Sequence, residues 1–251
     1  MPPAFFKLIF CIACLASQVL IASADVLPAA RESIEWCDIW LPHANEAKLP
    51  RVLLIGDSIA RGYYSTVEKK LAANAYVARL ATSAFLSDPM LLKEIALVLD
   101  SEKFDVIQFN NGMHGWLHTE AEYRAAFPNF LATIREHARG AKLIWVTTTP
   151  LKKNTVTQSI EAGSATDKNV DTHKLMLITD LTRASNERIA ARNSIALEFM
   201  KQQEIPVNDL NTLMAGHPEY YSGNVHFNEK GIVVLADQVA ARIKKILSVD
   251  K

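Results

Sequence analysis

The chain has 251 residues, 49% of them hydrophobic and 22% charged, with 27 basic and 27 acidic side chains that cancel. This is ordinary globular composition, long enough for one α/β domain with a substantial core. The balanced charge gives no sign of a nucleic-acid surface, so no nucleic-acid partner is expected.

Residues 1–24 read as an address and not as part of the fold. Lys7 is their only charge, Leu8 to Ala22 is almost wholly apolar, and Ala22-Ser23-Ala24 is a small-residue cleavage signal ahead of Asp25. This is the pattern of a secretory signal peptide, with an uncleaved anchor as the competing reading. A secreted or periplasmic protein is expected. Cleavage removes Cys11 and Cys14 and leaves Cys37, so the core and not a disulfide must hold the fold. No second stretch has transmembrane length, and no integral span is expected after cleavage.

Residues 25–49 form an amphipathic lead-in. Trp36 and Trp40 stand four apart and share one face if the segment is helical. Packing against the outside of the domain is one reading, and a sugar-stacking platform is the other.

From residue 50 to residue 251, strand-like and helix-like segments alternate. Strands are expected at Val52–Ile55, Tyr76–Leu80, Asp105–Asn110, Leu143–Thr147 and Pro206–Asn208. Helices are expected at Gly62–Ala73, Pro89–Leu99, Glu120–His137, Leu175–Gln203 and Lys230–Ser248. The last is the clearest, with Ile232, Leu235, Ala236, Val239, Ile243, Ile246 and Leu247 in one stripe. Such alternation argues for a parallel sheet with right-handed crossovers and helices on both faces. Ligands then sit at the carboxyl ends of the strands.

Val52 to Ile55 is a continuous apolar run that leads straight into Gly56-Asp57-Ser58. Ser58 therefore falls at a strand-to-helix turn, where unpaired N–H groups and the helix dipole favour negative charge. A serine there is exposed beside ready-made oxyanion donors. The plainer reading is a serine N-cap after an ordinary loop. Near the other end, Ser222-Gly223-Asn224-Val225-His226-Phe227-Asn228-Glu229-Lys230-Gly231 precedes the final helix.

Taken as a pair, Gly56-Asp57-Ser58 and Val225-His226-Phe227-Asn228-Glu229-Lys230-Gly231 resemble the SGNH (GDSL-like) hydrolase family, over roughly Pro50 to Leu247. The resemblance implies that Ser58 is the nucleophile and His226 the general base. With the alternation, it implies a single-domain three-layer α/β/α sandwich. Its five-stranded parallel sheet has the flavodoxin-like order 2-1-3-4-5.

The chain departs from the family pattern in three places. Where the family has Gly-x-Asn-Asp, with the Asn donating to the oxyanion, this chain has Gly112-Met113-His114-Gly115. A neutral histidine has one N–H to give, so His114 can replace the Asn, or Asn110 or Asn111 can do so from nearby. All three can equally be polar loop residues. The family's glycine after the second strand is missing from Leu80-Ala81-Thr82-Ser83-Ala84-Phe85, so the N–H of Ser83 or Ala84 is expected to serve. The family's acid before the histidine is missing too, for Asn224 and Gly223 stand there and no carboxylate lies between Glu219 and His226. A Ser–His dyad is expected, oriented by Asn224 or a backbone carbonyl, or by a distant acid such as Asp209 or Glu219.

Leu151 to Asp171 is long and polar and reads as a loop, either a lid or an insertion without function. The other histidines show no metal-ligand spacing and no Gly-rich phosphate loop occurs, so neither metal nor cofactor is expected. The function expected is a serine esterase for short acyl esters on a small-molecule or glycan substrate. A lysophospholipase or thioesterase is one alternative. A decayed, glycan-binding module on the same fold is the other.

Overall fold

The computed structural model describes residues 30–152 and 183–248. Its centre is β2, Arg51–Gly56, whose residues Val52 to Ile55 are at most 3% exposed. A strand can be apolar at every position only if both faces are covered. Val52 and Leu54 enter one core cluster, and Leu53 and Ile55 enter the other. The pleat thus feeds two layers from one strand.

The helices divide between those layers. On one side lie α1, Ser58–Leu71, and α6, Glu229–Ser248, which packs through Leu235, Ala236, Val239 and Ile243. On the other lie α2, Pro89–Ser101, α3, Glu120–His137, and α4, Asn186–Gln202. A short α5, Leu210–Met214, precedes the last loop. The remaining strands are β1, Cys37–Trp40; β3, Tyr76–Thr82; β4, Val106–Phe109; β5, Lys142–Val146; and β6, Val207–Asn208.

The sheet order is β1-β3-β2-β4-β5-β6. Strands β2 to β6 are parallel and, counted from β2, run 2-1-3-4-5. The α/β/α sandwich is therefore as expected. The sixth strand is not. The lead-in does not pair its tryptophans on a helix; Cys37–Trp40 runs antiparallel along β3, from Cys37 opposite Thr82 to Trp40 opposite Arg79. A spacing of four puts two residues on one face of a strand as well as of a helix, so the spacing could not choose. Trp40, 54% exposed, sits at this open edge.

Two helix starts also differ from expectation. Helix α1 begins four residues early, at Ser58, because Asp57 caps it by accepting the Ile59 N–H at 2.7 Å. This replaces the reading of Ser58 as the cap and leaves its hydroxyl for other contacts. Helix α4 starts at Asn186 behind the Ser185 cap, so residues 183–185 are not helical. The expected signal peptide, most of the Leu151–Asp171 loop and the helix's expected start at Leu175 lie outside the described residues. Among the described residues no helix is long and apolar enough to cross a membrane.

Candidate active site

The carboxyl ends of β2, β4 and β5 carry the residues singled out in the sequence. Strand β2 ends at Gly56, where an added Cβ would meet the Ala60 Cβ at 2.7 Å. Only glycine lets the chain turn this sharply into α1. Ser58 is then the first helical residue, and its N–H is among those that have no acceptor within the helix.

His226 arrives from a turn closed by a bridge between Tyr221 and Phe227 and by Ser222 N–H donating to the His226 carbonyl at 3.0 Å. Val225 and Phe227 are buried on either side of it, so strand-like alternation turns His226 outward. Across 168 positions of sequence, Ser58 Oγ and His226 Nε2 come within 2.8 Å. The protein around the ring pushes the His226 pKa below its ordinary value. Arg61 acts the same way, as does His114 when it is protonated, against the opposing pull of Asp57. The imidazole is thus neutral at pH 7, the form a general base needs.

The other ring nitrogen of His226, Nδ1, has no hydrogen-bond partner among the described residues. Asn224 is half-buried, and its backbone carbonyl accepts from the Lys152 N–H at 2.9 Å. Its side chain makes no hydrogen bond to His226. The two distant acids are engaged elsewhere. Asp209 accepts from Thr147 Oγ1 at 2.9 Å and caps α5, and Glu219 pairs with His217 Nδ1 at 2.9 Å.

The expected backbone donors after β3 are also taken. Ser83 N–H donates to the Trp36 carbonyl at 3.1 Å, and Ala84 N–H to Thr82 Oγ1 at 3.2 Å. The unforeseen β1 explains the first, because its ladder runs one residue past Thr82 and consumes the Ser83 N–H. The Ser83 hydroxyl donates to Glu35 at 2.7 Å.

After β4, Asn110 Nδ2 donates to the Val146 carbonyl at 2.7 Å and to Thr148 Oγ1 at 3.0 Å. Both its N–H groups are taken, so it ties β4 to β5. Asn111 Nδ2 donates to the Ala84 carbonyl at 2.9 Å. At Gly112 an added Cβ would lie 2.1 Å from Thr148 Oγ1, and Gly115 has φ +70°, so both positions require glycine.

His114 lies between them, largely buried, with Nδ1 2.8 Å from Glu32 Oε2. Its Nε2 is buried and has no partner among the described residues. It lies within electrostatic reach of Asp57 and His226. Of the expected oxyanion side chains, His114 keeps one buried ring nitrogen without a partner among the described residues.

Sequence reasoning missed two residues here. Glu32, in the lead-in, also accepts the Gly115 N–H at 2.7 Å, and nothing in its local sequence signals this. Arg192 on α4 is 0% exposed and donates to the carbonyls of Gly112, His114, Gly115 and His118. It did leave a signal, for Ile189, Arg192, Asn193 and Ala196 keep helical spacing and put a cation on the buried stripe.

A cavity of about 620 Å³ opens at the amino ends of β5 and β6, lined by Lys142, Leu143, Ile205 and Pro206. It is at the opposite end of the sheet from Ser58, where parallel sheets do not place their chemistry.

No family model matches the chain and no curated protein matches it. Solved structures do. A GDSL-like lipase from Bacteroides thetaiotaomicron superposes with a TM-score of 0.59 at 14% identity, over 80% of this chain and 93% of that one. A carbohydrate esterase family 3 protein from Talaromyces cellulolyticus gives 0.56 at 15% identity, over 80% and 99%. The catalytic domain of a Streptococcus pneumoniae peptidoglycan O-acetyltransferase gives 0.53 at 16% identity, over 80% and 96%. The chain has the SGNH (GDSL-like) hydrolase fold. It is a fold used by esterases and acylhydrolases.

Proposed function

We propose that the protein is an exported serine esterase that removes short, acetyl-type acyl groups from a carbohydrate. The observation that carries this reading is the 2.8 Å approach of Ser58 Oγ to the neutral His226 Nε2 at the carboxyl edge of the sheet. Ser58 attacks the ester carbonyl as its proton passes to His226. The carbonyl oxygen becomes an oxyanion, held by the Ser58 N–H and by His114 Nε2. The imidazolium gives its proton to the leaving alcohol. Water, activated by the same ring, then releases the acid from the acyl-enzyme.

The neighbours described as a carbohydrate esterase and a peptidoglycan O-acetyltransferase support a glycan ester as substrate. The leader-like residues 1–24 support export.

A fluorophosphonate probe tests the reading. Ser58 is expected to be labelled, and chromogenic esters to be cleaved fastest with a two-carbon acyl group. An unlabelled serine would mean a decayed binding module, and a preference for long chains would mean a lysophospholipase or thioesterase.

Asn224 stands where the family has its acid. Asn224→Asp adds an anion two residues from His226, which favours the imidazolium. The acid limb of the pH–rate profile is expected to move upward, and kcat/KM at neutral pH to rise by roughly 10-fold. A limb and rate both unchanged would place residue 224 out of reach of the ring.

A further inference from the structure

The catalytic edge holds a histidine–carboxylate pair, but it is built on His114 and not on His226. Glu32 Oε2 lies 2.8 Å from His114 Nδ1, while Glu32 Oε1 accepts the Gly115 N–H at 2.7 Å. The carboxylate therefore grips the ring and the backbone of the same loop, and its side chain is only 5% exposed. We propose that Glu32 is a positioning residue for a cationic oxyanion donor. It takes the Nδ1–H of His114, so that the Nε2–H of an imidazolium meets the carbonyl oxygen attacked by Ser58. This rests on Ser58 and His226 acting as described above.

The chemistry of the ring ties a donating Nε2 to a positive charge. An ionised carboxylate can only accept, so Nδ1 carries a proton. In a neutral ring Nε2 would then be a lone pair and would repel an oxyanion. His114 can donate at Nε2 only when both nitrogens are protonated. In this proposal a cation, and not the neutral histidine expected from the sequence, stands in for the family's Asn.

The surroundings supply that charge state. Burial acts most strongly on His114 and lowers its pKa. The hydrogen bond and charge of Glu32, with the charges of Asp57 and Glu35, outweigh it and hold the pKa above the ordinary value. These carboxylates come from the lead-in and from the β2–α1 turn. From α4, Arg192 faces the loop through the His114 carbonyl at 2.7 Å. The edge of the Trp36 ring closes another side, with its centroid at 6.2 Å. From the last loop faces His226, a second titrating ring. A charge on His114 lowers the pKa of His226, so the same cation that holds the oxyanion keeps the base neutral. His114 keeps its proton throughout; the proton that moves is the one from Ser58. The buried Nε2 has no partner among the described residues, and a substrate oxygen would satisfy it.

The sign of the pH dependence follows. Activity needs neutral His226, with its lowered pKa, and protonated His114, with its raised one. The kcat/KM profile is expected to be a bell, rising below the ordinary histidine pKa and falling above it. Glu32→Gln removes the anion, so the falling limb should move to lower pH. At neutral pH kcat should drop on the order of 10- to 100-fold, with KM little changed. The ratio of wild-type to variant rates should shrink on acidification, as His114 regains its proton. A merely structural glutamate would not give that acid rescue. His114→Asn, a neutral donor that does not titrate, should abolish the falling limb.

Nitrogen NMR of the wild-type His114 ring gives a readout that needs no variant to fold. Both nitrogens should be protonated at pH 7, and titration at or below the ordinary value would overturn the proposal. So would a Glu32→Gln variant with the wild-type profile while Ser58 still reacts with the fluorophosphonate. If wild-type Ser58 fails to react and no ester is cleaved, the esterase reading itself fails and takes this proposal with it.

Discussion

Ser58→Ala is expected to lower kcat for ester hydrolysis by at least about 1,000-fold. The size of the loss is informative in itself. In a serine protease triad, loss of the serine costs about 2 × 10⁶ in kcat, and loss of the aspartate alone about 3 × 10⁴. A site that simply lacked the acid would therefore have only about 100-fold left to lose with its serine. Here the turn through Tyr221 and Phe227 holds His226, and His114 and Arg61 help to keep it neutral, so a larger loss is expected. The fold should be untouched. Asp57 and not Ser58 caps α1, so alanine removes no cap. Far-UV circular dichroism and the thermal midpoint should match those of the wild type. A loss under 10-fold in a pure sample would exclude Ser58 as the nucleophile.

Arg192→Met is expected to destabilise the protein by about 3 kcal/mol, from carbonyl groups left buried without a donor. Methionine fills much of the space but cannot donate. The carbonyls of Gly112 and His114 would be left without a donor, while that of Gly115 keeps the His118 N–H and that of His118 keeps Arg188. The guanidinium also lies 4.2 Å from the Trp116 ring centroid and 5.3 Å from that of Tyr123. Burial pushes its pKa down to about 10, which still leaves it charged at neutral pH. Urea denaturation should show the loss as a lower midpoint, and the melting temperature should fall by roughly 6–12 °C. Because Arg192 braces the loop that carries His114, kcat should fall as well. Arg192→Lys keeps the charge but not the planar fork, and is expected to recover only part of either. A midpoint unchanged in the methionine variant would show that the loop holds its shape without the guanidinium.

The local sequence determined the elements whose causes are local. The unbroken apolar run of β2 can exist only as a doubly covered strand, and the stripe of α6 only as a helix with one buried face. Gly56-Asp57-Ser58 and Val225-His226-Phe227 could be read because each is a short pattern with its own geometry: a tight turn into a helix, and an outward residue between two buried ones. The pairing of Ser58 with His226 was readable only through the family resemblance, since nothing local joins positions 168 apart. What tertiary structure decided was the use of groups that carry the same sequence signal in either role. Asn110, Ser83 and Ala84 looked like donors, but the link to β5, the ladder of β1 and the Thr82 hydroxyl took their N–H groups. Glu32 and His114 are 82 positions apart, and the charge on the histidine depends on their contact. Composition and periodicity report which face of an element is buried. They do not report which distant carboxylate reaches a given ring, because that is set by the strand order and by the path of the lead-in across the sheet edge.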